Sequence, residues 1–160
     1  MKASVITVSN RASVGIYQDK SGLILQEGLG KMGYVPIDYV IVKDIVEEIS
    51  SAIDESLQRG VDLIVTTGGT GISVHDVTPE ATRPFIEKEI PGFAEALRAH
   101  SRDEVPTADL TRGLAGIHKK SFIVNLPGSP HGVRDGLIVL ERIAKHVHDQ
   151  LAGHDHIKDN

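Results

Sequence analysis

The sequence predicts a single three-layer α/β domain, with a mostly parallel central sheet and helices on both faces. Three observations predict it. The 160 residues suit one domain with a proper core. Short β-branched runs alternate with segments of helical periodicity, which implies βαβ crossovers and a parallel sheet. The run Val61-Asp-Leu-Ile-Val65 is apolar almost throughout, as a strand buried on both faces reads. No linker or internal repeat divides the chain. One domain is therefore expected over residues 1–152, with residues 153–160 as a polar tail expected to fray.

The elements follow in order. Val5–Val8 is a short β-branched strand. Ser21 to Met32 carries Leu23, Leu25 and Leu29 in a helical window, with Gly33 as its C-cap. Val35–Val42 is rich in Val, Ile and Tyr and reads as a second strand. Ile45, Ile49, Ile53 and Leu57 recur every four residues, giving one apolar helix face that stops at Gly60. The strand Val61–Val65 follows. Pro79 to about Ile90 is expected to be helical, with Thr78 as N-cap and Pro79 at the first helical position. A shorter helix is expected over Phe93–Ser101, after Pro91-Gly92, and Asp103 to Lys119 is less regular. Ser121–Leu126 is a further strand. Pro127-Gly-Ser-Pro130 then leads into a long helix whose stripe is Val133, Leu137, Leu140, Ala144, Val147 and Leu151.

Composition narrows the function. Hydrophobic residues are 40% and charged residues 24%, as expected of a globular chain, and with only three Tyr and three Phe the core must be aliphatic. A net charge of -5 with no basic block argues against a dedicated nucleic-acid binder, which needs clustered Lys and Arg. Without cysteine there are neither disulfides nor thiolate metal sites. The apolar stretch at the N-terminus is too short for a signal peptide, and no apolar run reaches membrane-spanning length. Cytoplasm is the expected compartment.

In folds of this class ligands bind outside the carboxyl ends of the strands. Four stretches fall there: Ser9–Ser13, Lys43-Asp44, Thr66–Asp76 and Asn125–Ser129. Thr66-Thr-Gly-Gly-Thr-Gly71 is small and glycine-rich, so its backbone N–H groups suit an anion. It lacks both the Walker A lysine and the dinucleotide spacing, so spacing alone leaves open a plain tight turn. Asp44 and Asp76 each follow a strand and are expected on the same rim. Two carboxylates beside a phosphate call for a cation between them, and Mg²⁺ is the usual one. Singly, Asp44 also reads as a helix-start residue and Asp76 as a turn former. Ser9-Asn-Arg-Ala-Ser13 and Asp19-Lys-Ser-Gly22 suit a polar ligand or ordinary capping by Asp19 or Ser21. Ser129 at an N-cap and Pro130 at N1 would account for the last stretch as a turn. His146 and His148 do not share a helix face, and His154-Asp-His156 reads as solvated tail rather than metal site. No Ser-His-Asp arrangement is visible.

Taken together, Thr-Val-Ser-Asn-Arg-Ala-Ser near the start, Asp-Lys-Ser-Gly at 19–22, Thr-Thr-Gly-Gly-Thr-Gly with Asp-Val-Thr-Pro-Glu-Ala-Thr, Leu-Thr-Arg-Gly at 110–113 and Asn-Leu-Pro-Gly-Ser-Pro at 125–130 resemble the MogA/MoaB family of molybdenum cofactor biosynthesis, a domain also present in gephyrin. The resemblance runs from about Lys2 to Ala152. It implies a three-layer α/β domain, usually trimeric, that adenylylates molybdopterin with Mg-ATP and releases pyrophosphate. It also implies a MoeA-type partner that inserts molybdate into the product. By resemblance Asp44 and Asp76 match the two family aspartates tied to metal and catalysis. Thr67, Gly68, Gly69, Thr70 and Gly71 match the loop around the phosphates. Ser9, Ser13, Asp19, Asn125, Pro127, Gly128 and Ser129 match positions lining the pterin and nucleotide cleft. Many members carry Arg before the aspartate of Asp-Val-Thr-Pro, where this chain has His75. An imidazole is mostly neutral near pH 7, whereas a guanidinium is always charged. Two alternatives stand beside the transferase. One is a non-catalytic molybdopterin-binding module. The other, less favoured because those proteins carry an added domain, is a nucleotide pyrophosphatase of the competence-damage type.

Overall fold

The computed structural model describes residues 1–153. Strands β1 (Lys2–Val8), β2 (Val35–Val42), β3 (Leu63–Thr67), β4 (Lys88–Glu89), β5 (Ala115–His118) and β6 (Ser121–Leu126) form one six-stranded sheet in the order β2-β1-β3-β6-β5-β4. β2, β1, β3 and β6 run parallel, and β5 is antiparallel to both of its neighbours. The helices are α1 (Asn10–Ser13), α2 (Lys20–Lys31), α3 (Val46–Gln58), α4 (Thr78–Thr82), α5 (Pro91–Ser101) and α6 (Pro130–Leu151), with 3₁₀ turns at Arg83–Phe85 and Pro106–Leu110.

The period of two along the strands sorts the core into two layers. Val5, Leu63, Val65, Phe122, Val124 and Leu126 pack with Leu25 and Leu29 of α2, Phe93 and Leu97 of α5, and Val133, Leu140 and Ala144 of α6. Ile6, Val8, Ile64 and Ile123 point the other way, onto Ile49 and Ile53 of α3 and Ala81 of α4. The chain leaves β1 through α2 on one face and leaves β2 through α3 on the other. The strand order reverses between β1 and β3, and a crevice opens at their carboxyl ends.

β2 and β6 begin and end where the sequence places them. Other expectations are corrected. The helix expected over Pro79 to Ile90 ends at Thr82. Pro84 has no N–H for a continuing helix and its ring clashes with the preceding turn, so the chain tightens into the 3₁₀ turn Arg83–Phe85. Lys88 and Glu89 then pair with Ile117 and Gly116, which makes a strand inside the expected helix and another inside the irregular segment. The N-cap of α4 is Val77, not Thr78, whose buried hydroxyl donates instead to the Gly68 carbonyl at 2.8 Å. β3 starts at Leu63 and runs on to Thr67, because Thr66 and Thr67 pair with Ile6 and Thr7. The cap of α2 is Met32, and Gly33 follows it with φ +87°. Ser129 does cap α6, its hydroxyl accepting from Gly132 N at 3.0 Å, with Pro130 in the first turn. The expected tail and His154-Asp-His156 lie outside the described residues.

Helix α6 is also fastened at its far end. Tyr34 Oη and His148 Nε2 are hydrogen-bonded at 2.7 Å, and the two rings meet edge to face. Burial lowers the pKa of His148, partly opposed by Asp62 and Asp149, while the N-terminal amine adds to the lowering. Burial raises the Tyr34 phenol to about 12. The folded ring thus resists a proton that the unfolded chain accepts. The stability from this contact is fully present above about pH 6.5 and is lost as the pH falls below it. Acidification from about pH 7.5 to about pH 5.5 is expected to lower the urea midpoint less in His148→Gln than in the parent. Equal falls would refute the assignment.

Candidate active site

The crevice is built from loops that three adjacent strands deliver to one place. After β3 the chain turns through Gly68 and Gly69, with φ +102° and +63°, conformations that glycine alone adopts without strain. An added Cβ on Gly68 would sit 2.2 Å from the Val8 carbonyl oxygen, and one on Gly69 would sit 2.3 Å from Thr78 Oγ1. These glycines let the end of β3 pass directly against the end of β1. On the other flank Gly68 N donates to the Leu126 carbonyl at 3.0 Å and Thr67 Oγ1 donates to the Pro127 carbonyl at 2.8 Å. Gly128 passes close above, where an added Cβ would be 3.1 Å from Gly68 Cα. Ser21 Oγ of α2 holds the Gly128 carbonyl at 2.8 Å.

Beyond Gly68 the loop keeps its donors open. Among the described residues the N–H groups of Gly69, Thr70 and Gly71 reach no protein acceptor, while the carbonyls of Gly69 and Thr70 accept from Thr78 N and Arg112 N. A run of unpaired N–H groups of this kind can take up an anion. Asp76 closes the loop. Its Oδ2 accepts from Ser73 N at 2.8 Å and lies where an added Cβ on Gly71 would come within 2.8 Å.

Arg112 holds this loop, and it is the residue that sequence reasoning passed over. Its Nε donates to the Gly71 carbonyl and one Nη to the Asp76 carbonyl, both at 2.7 Å, and the other Nη pairs with Glu80. The hydrogen bond from Arg112 holds the Glu80 carboxyl below the usual range. Leu-Thr-Arg-Gly at 110–113 was the available signal, but nothing in its spacing ties it to a loop about forty residues earlier in the chain. His75 is exposed, its backbone N–H donating to Ser73 Oγ at 3.3 Å.

Two cavities flank Gly128. One, of about 330 Å³, is lined by Thr70, Gly71, Asp76, Pro127, Ser129 and residues of α5, the 106–110 turn and α6. The other, of about 420 Å³, is lined by Ser9, Tyr17, Asp19, Ser21 and Thr67 among others. Pro127 and Ser129 line the first and Gly128 lines both. Asp19 caps α2 through Gly22 N at 2.9 Å and accepts from Tyr39 Oη at 2.7 Å. Burial, then this bond, raises the Tyr39 pKa. Ser9 caps α1 and hydrogen-bonds Tyr17 Oη at 2.9 Å.

Five expected site residues lie outside these linings, the turn glycines Gly68 and Gly69 among them. Ser13 Oγ donates to Asn10 O, and Asp44 Oδ2 accepts from Asn10 N at 2.7 Å, which ties the end of β2 to α1. Asn125 is buried. Its Nδ2 donates to the hydroxyls of Thr66 and Thr82, and its Oδ1 accepts from Leu114 N. It braces the floor of the site.

Known proteins share this architecture. The family model described as "Probable molybdopterin binding domain" matches residues 4–146. A Helicobacter pylori protein named molybdopterin adenylyltransferase is 44% identical over 138 residues, 83% of this chain and 77% of that one. A Pyrococcus furiosus protein of the same name is 40% identical over 151 residues, 91% and 88% of the two chains. A solved MogA structure superposes with a TM-score of 0.91 at 40% identity, covering 94% of this chain and 99% of that one.

The close approach at Gly68 gives a direct test. Gly68→Ala is expected to cost at least about 2 kcal/mol in urea unfolding, because positive φ and the Val8 carbonyl both oppose a Cβ. Gly30→Ala, in α2 where nothing lies within 4 Å, is expected to add about 0.5–1 kcal/mol. A tolerated Gly68→Ala would show that the strand ends can separate.

Proposed function

Since the chain belongs to the probable molybdopterin binding domain family, we infer that it is a molybdopterin adenylyltransferase, a nucleotidyltransferase of molybdenum cofactor biosynthesis. The terminal phosphate oxygen of molybdopterin attacks the α-phosphorus of ATP. A P–O bond forms, the bond from the α-phosphorus to the bridging oxygen breaks, and pyrophosphate leaves with that oxygen. The observation that carries this reading is the run of unpaired N–H groups at Gly69, Thr70 and Gly71 beside Asp76.

The protein's part is placement and charge, with no covalent nucleophile. The open N–H groups take up phosphate oxygens. The Thr70 and Ser129 hydroxyls add polar groups on the same wall. Arg112 fixes the loop by its carbonyls and by Glu80, so the donors are aimed before the substrates arrive. The carboxylates of Asp44 and Asp76 each keep one oxygen without a protein donor among the described residues. Such hard oxygen donors fit Mg²⁺. When bound, the ion neutralises charge on the phosphate oxygens. On this reading Ser9, Asp19 and Thr67 serve the second cavity, and Ser13 and Asn125 act as supports.

The assembly is a homotrimer and the product passes to a MoeA-type molybdate-insertion protein, as the family resemblance implies. We assign the chain to the cytoplasm. Among the described residues no helix is long and apolar enough to cross a membrane.

Purified protein with molybdopterin, ATP and Mg²⁺ is expected to release pyrophosphate. Asp76→Asn and Asp44→Asn are each expected to slow release at least about a hundredfold while the thermal midpoint holds. Full activity in both variants would remove the assigned roles. Molybdopterin binding without turnover in the parent would leave a binding module.

A further inference from the structure

We propose that Asp135 is the specificity residue of the cavity beside the Gly71–Asp76 loop, reading the paired N–H and NH₂ donors of a 2-amino-4-oxopteridine ring, with Ser101 as the positioning residue that aims it. The proposal rests on the adenylyltransferase reading and adds which cavity takes the pterin.

Asp135 is 7% exposed and stands in the cavity wall in the second turn of α6. A carboxylate so buried needs partners, and its protein partners are incomplete. Ser101 Oγ donates to Oδ2 at 2.5 Å. The nearest basic groups are imidazoles, His131 Nε2 at 3.4 Å from Oδ2 and His100 Nε2 at 3.8 Å from Oδ1. Among the described residues no Lys or Arg pairs with it, and Oδ1 accepts no hydrogen bond. Helix capping does not account for it either, because Ser129 performs that task. Oδ1 and the second lone pair of Oδ2 remain for a ligand.

The rest of the cavity says what kind. Leu97, Val105, Ala108, Leu110 and Pro127 give it apolar walls suited to a flat ring. Thr70, Gly71 and Asp76 line the same cavity and supply its phosphate-binding loop. A ring with a phosphate-bearing arm and an N–H edge has groups for both. In a 2-amino-4-oxopteridine, N3–H and the 2-amino group point the same way, as the two arms of a guanidinium do, and meet both oxygens of a carboxylate. Adenine sets its single amino group beside a bare ring nitrogen, which a carboxylate repels. Asp135 therefore sorts the two substrates. Asp19, the buried carboxylate of the other cavity, has both oxygens already accepting, from Gly22 N and Tyr39 Oη, whereas Asp135 keeps Oδ1 without a donor among the described residues.

The test compares two fluorescent rings, 6-hydroxymethylpterin and its 2-oxo counterpart 6-hydroxymethyllumazine, by titration into the full chain. The parent is expected to prefer the 2-amino ring by about tenfold or more, because the 2-oxo ring turns an acceptor toward the carboxylate. Asp135→Asn replaces one acceptor with a donor and should bring the ratio close to one. Ser101→Ala leaves the carboxylate in place and should lower the ratio part of the way. It carries the test if Asp135→Asn does not fold. In the pyrophosphate assay KM for molybdopterin should rise about tenfold in Asp135→Asn, with KM for ATP unchanged. Equal affinity of the parent for the two rings, failure of the parent to bind either, or an unchanged ratio in the variants overturns the proposal. Pyrophosphate release by the parent is scored separately. A ring preference without release sinks the adenylyltransferase reading and keeps Asp135, whereas release without a preference does the reverse.

Discussion

The structure turns on one close approach, that of Gly68 to the Val8 carbonyl. A methyl group there would sit 2.2 Å from a backbone oxygen, well inside contact distance. Because it is absent, β1 and β3 end side by side, and the Gly68 N–H reaches Leu126 on the next strand. Thr78 seals the turn from outside, donating its hydroxyl to Gly68 O and its N–H to Gly69 O. Asn125 seals it from below, joining Thr66 of β3 to Thr82 of α4. With these groups satisfied internally, the N–H groups of Gly69, Thr70 and Gly71 are the ones left without a protein acceptor among the described residues. A buried polar network of this kind stabilises only when complete. Its completeness here explains how a glycine-rich loop is held firmly in place.

Arg112 illustrates a different economy of forces. Its pair with Glu80 is half exposed, so the ionic attraction itself is screened and contributes little. The value lies in geometry. A planar guanidinium reaches two carbonyls and a carboxylate at once, which a lysine ammonium cannot reproduce in fixed directions. The 71–76 loop is thereby referred to α4 and to the segment before β5 rather than left to its own backbone.

The sheet was legible in the sequence wherever burial made its pattern simple. β2 and β6 stand within the predicted bounds because β-branched runs between turn residues have no competing reading. The helix expected through Pro84 stops at Thr82 because a proline suits a helix's first turn but breaks it further along. Thr66 and Thr67 were read as loop since they are polar. They are buried strand residues whose hydroxyls bond to Asn125 and to the Pro127 carbonyl, respectively. The carboxyl-end rule pointed to four loops, of which three line the two cavities and the Lys43-Asp44 loop does not. It could not tell lining from bracing. Ser9, Asp19 and Ser129 line a cavity, whereas Asn125 looks inward. Asp135 and Arg112 lay beyond reach, because one falls between the positions of the α6 stripe and the other acts across a large sequence gap.

That division has a physical basis. The loops at the strand ends are constrained by backbone, through glycines, carbonyls and capping hydroxyls, and backbone chemistry is the same whatever ring is bound. Phosphate binding suits that material, since it asks only for N–H groups and charge. Telling one ring from another requires side chains set at a fixed depth, which α5 and α6 can supply because they pack on the sheet through Phe93, Leu97, Val133 and Leu140. Ser101 and Asp135 project from these two helices into the same cavity that the loop serves. On the proposed reading the rigid layer would carry the selectivity and the glycine turn the phosphate, each on the element whose physics supports it.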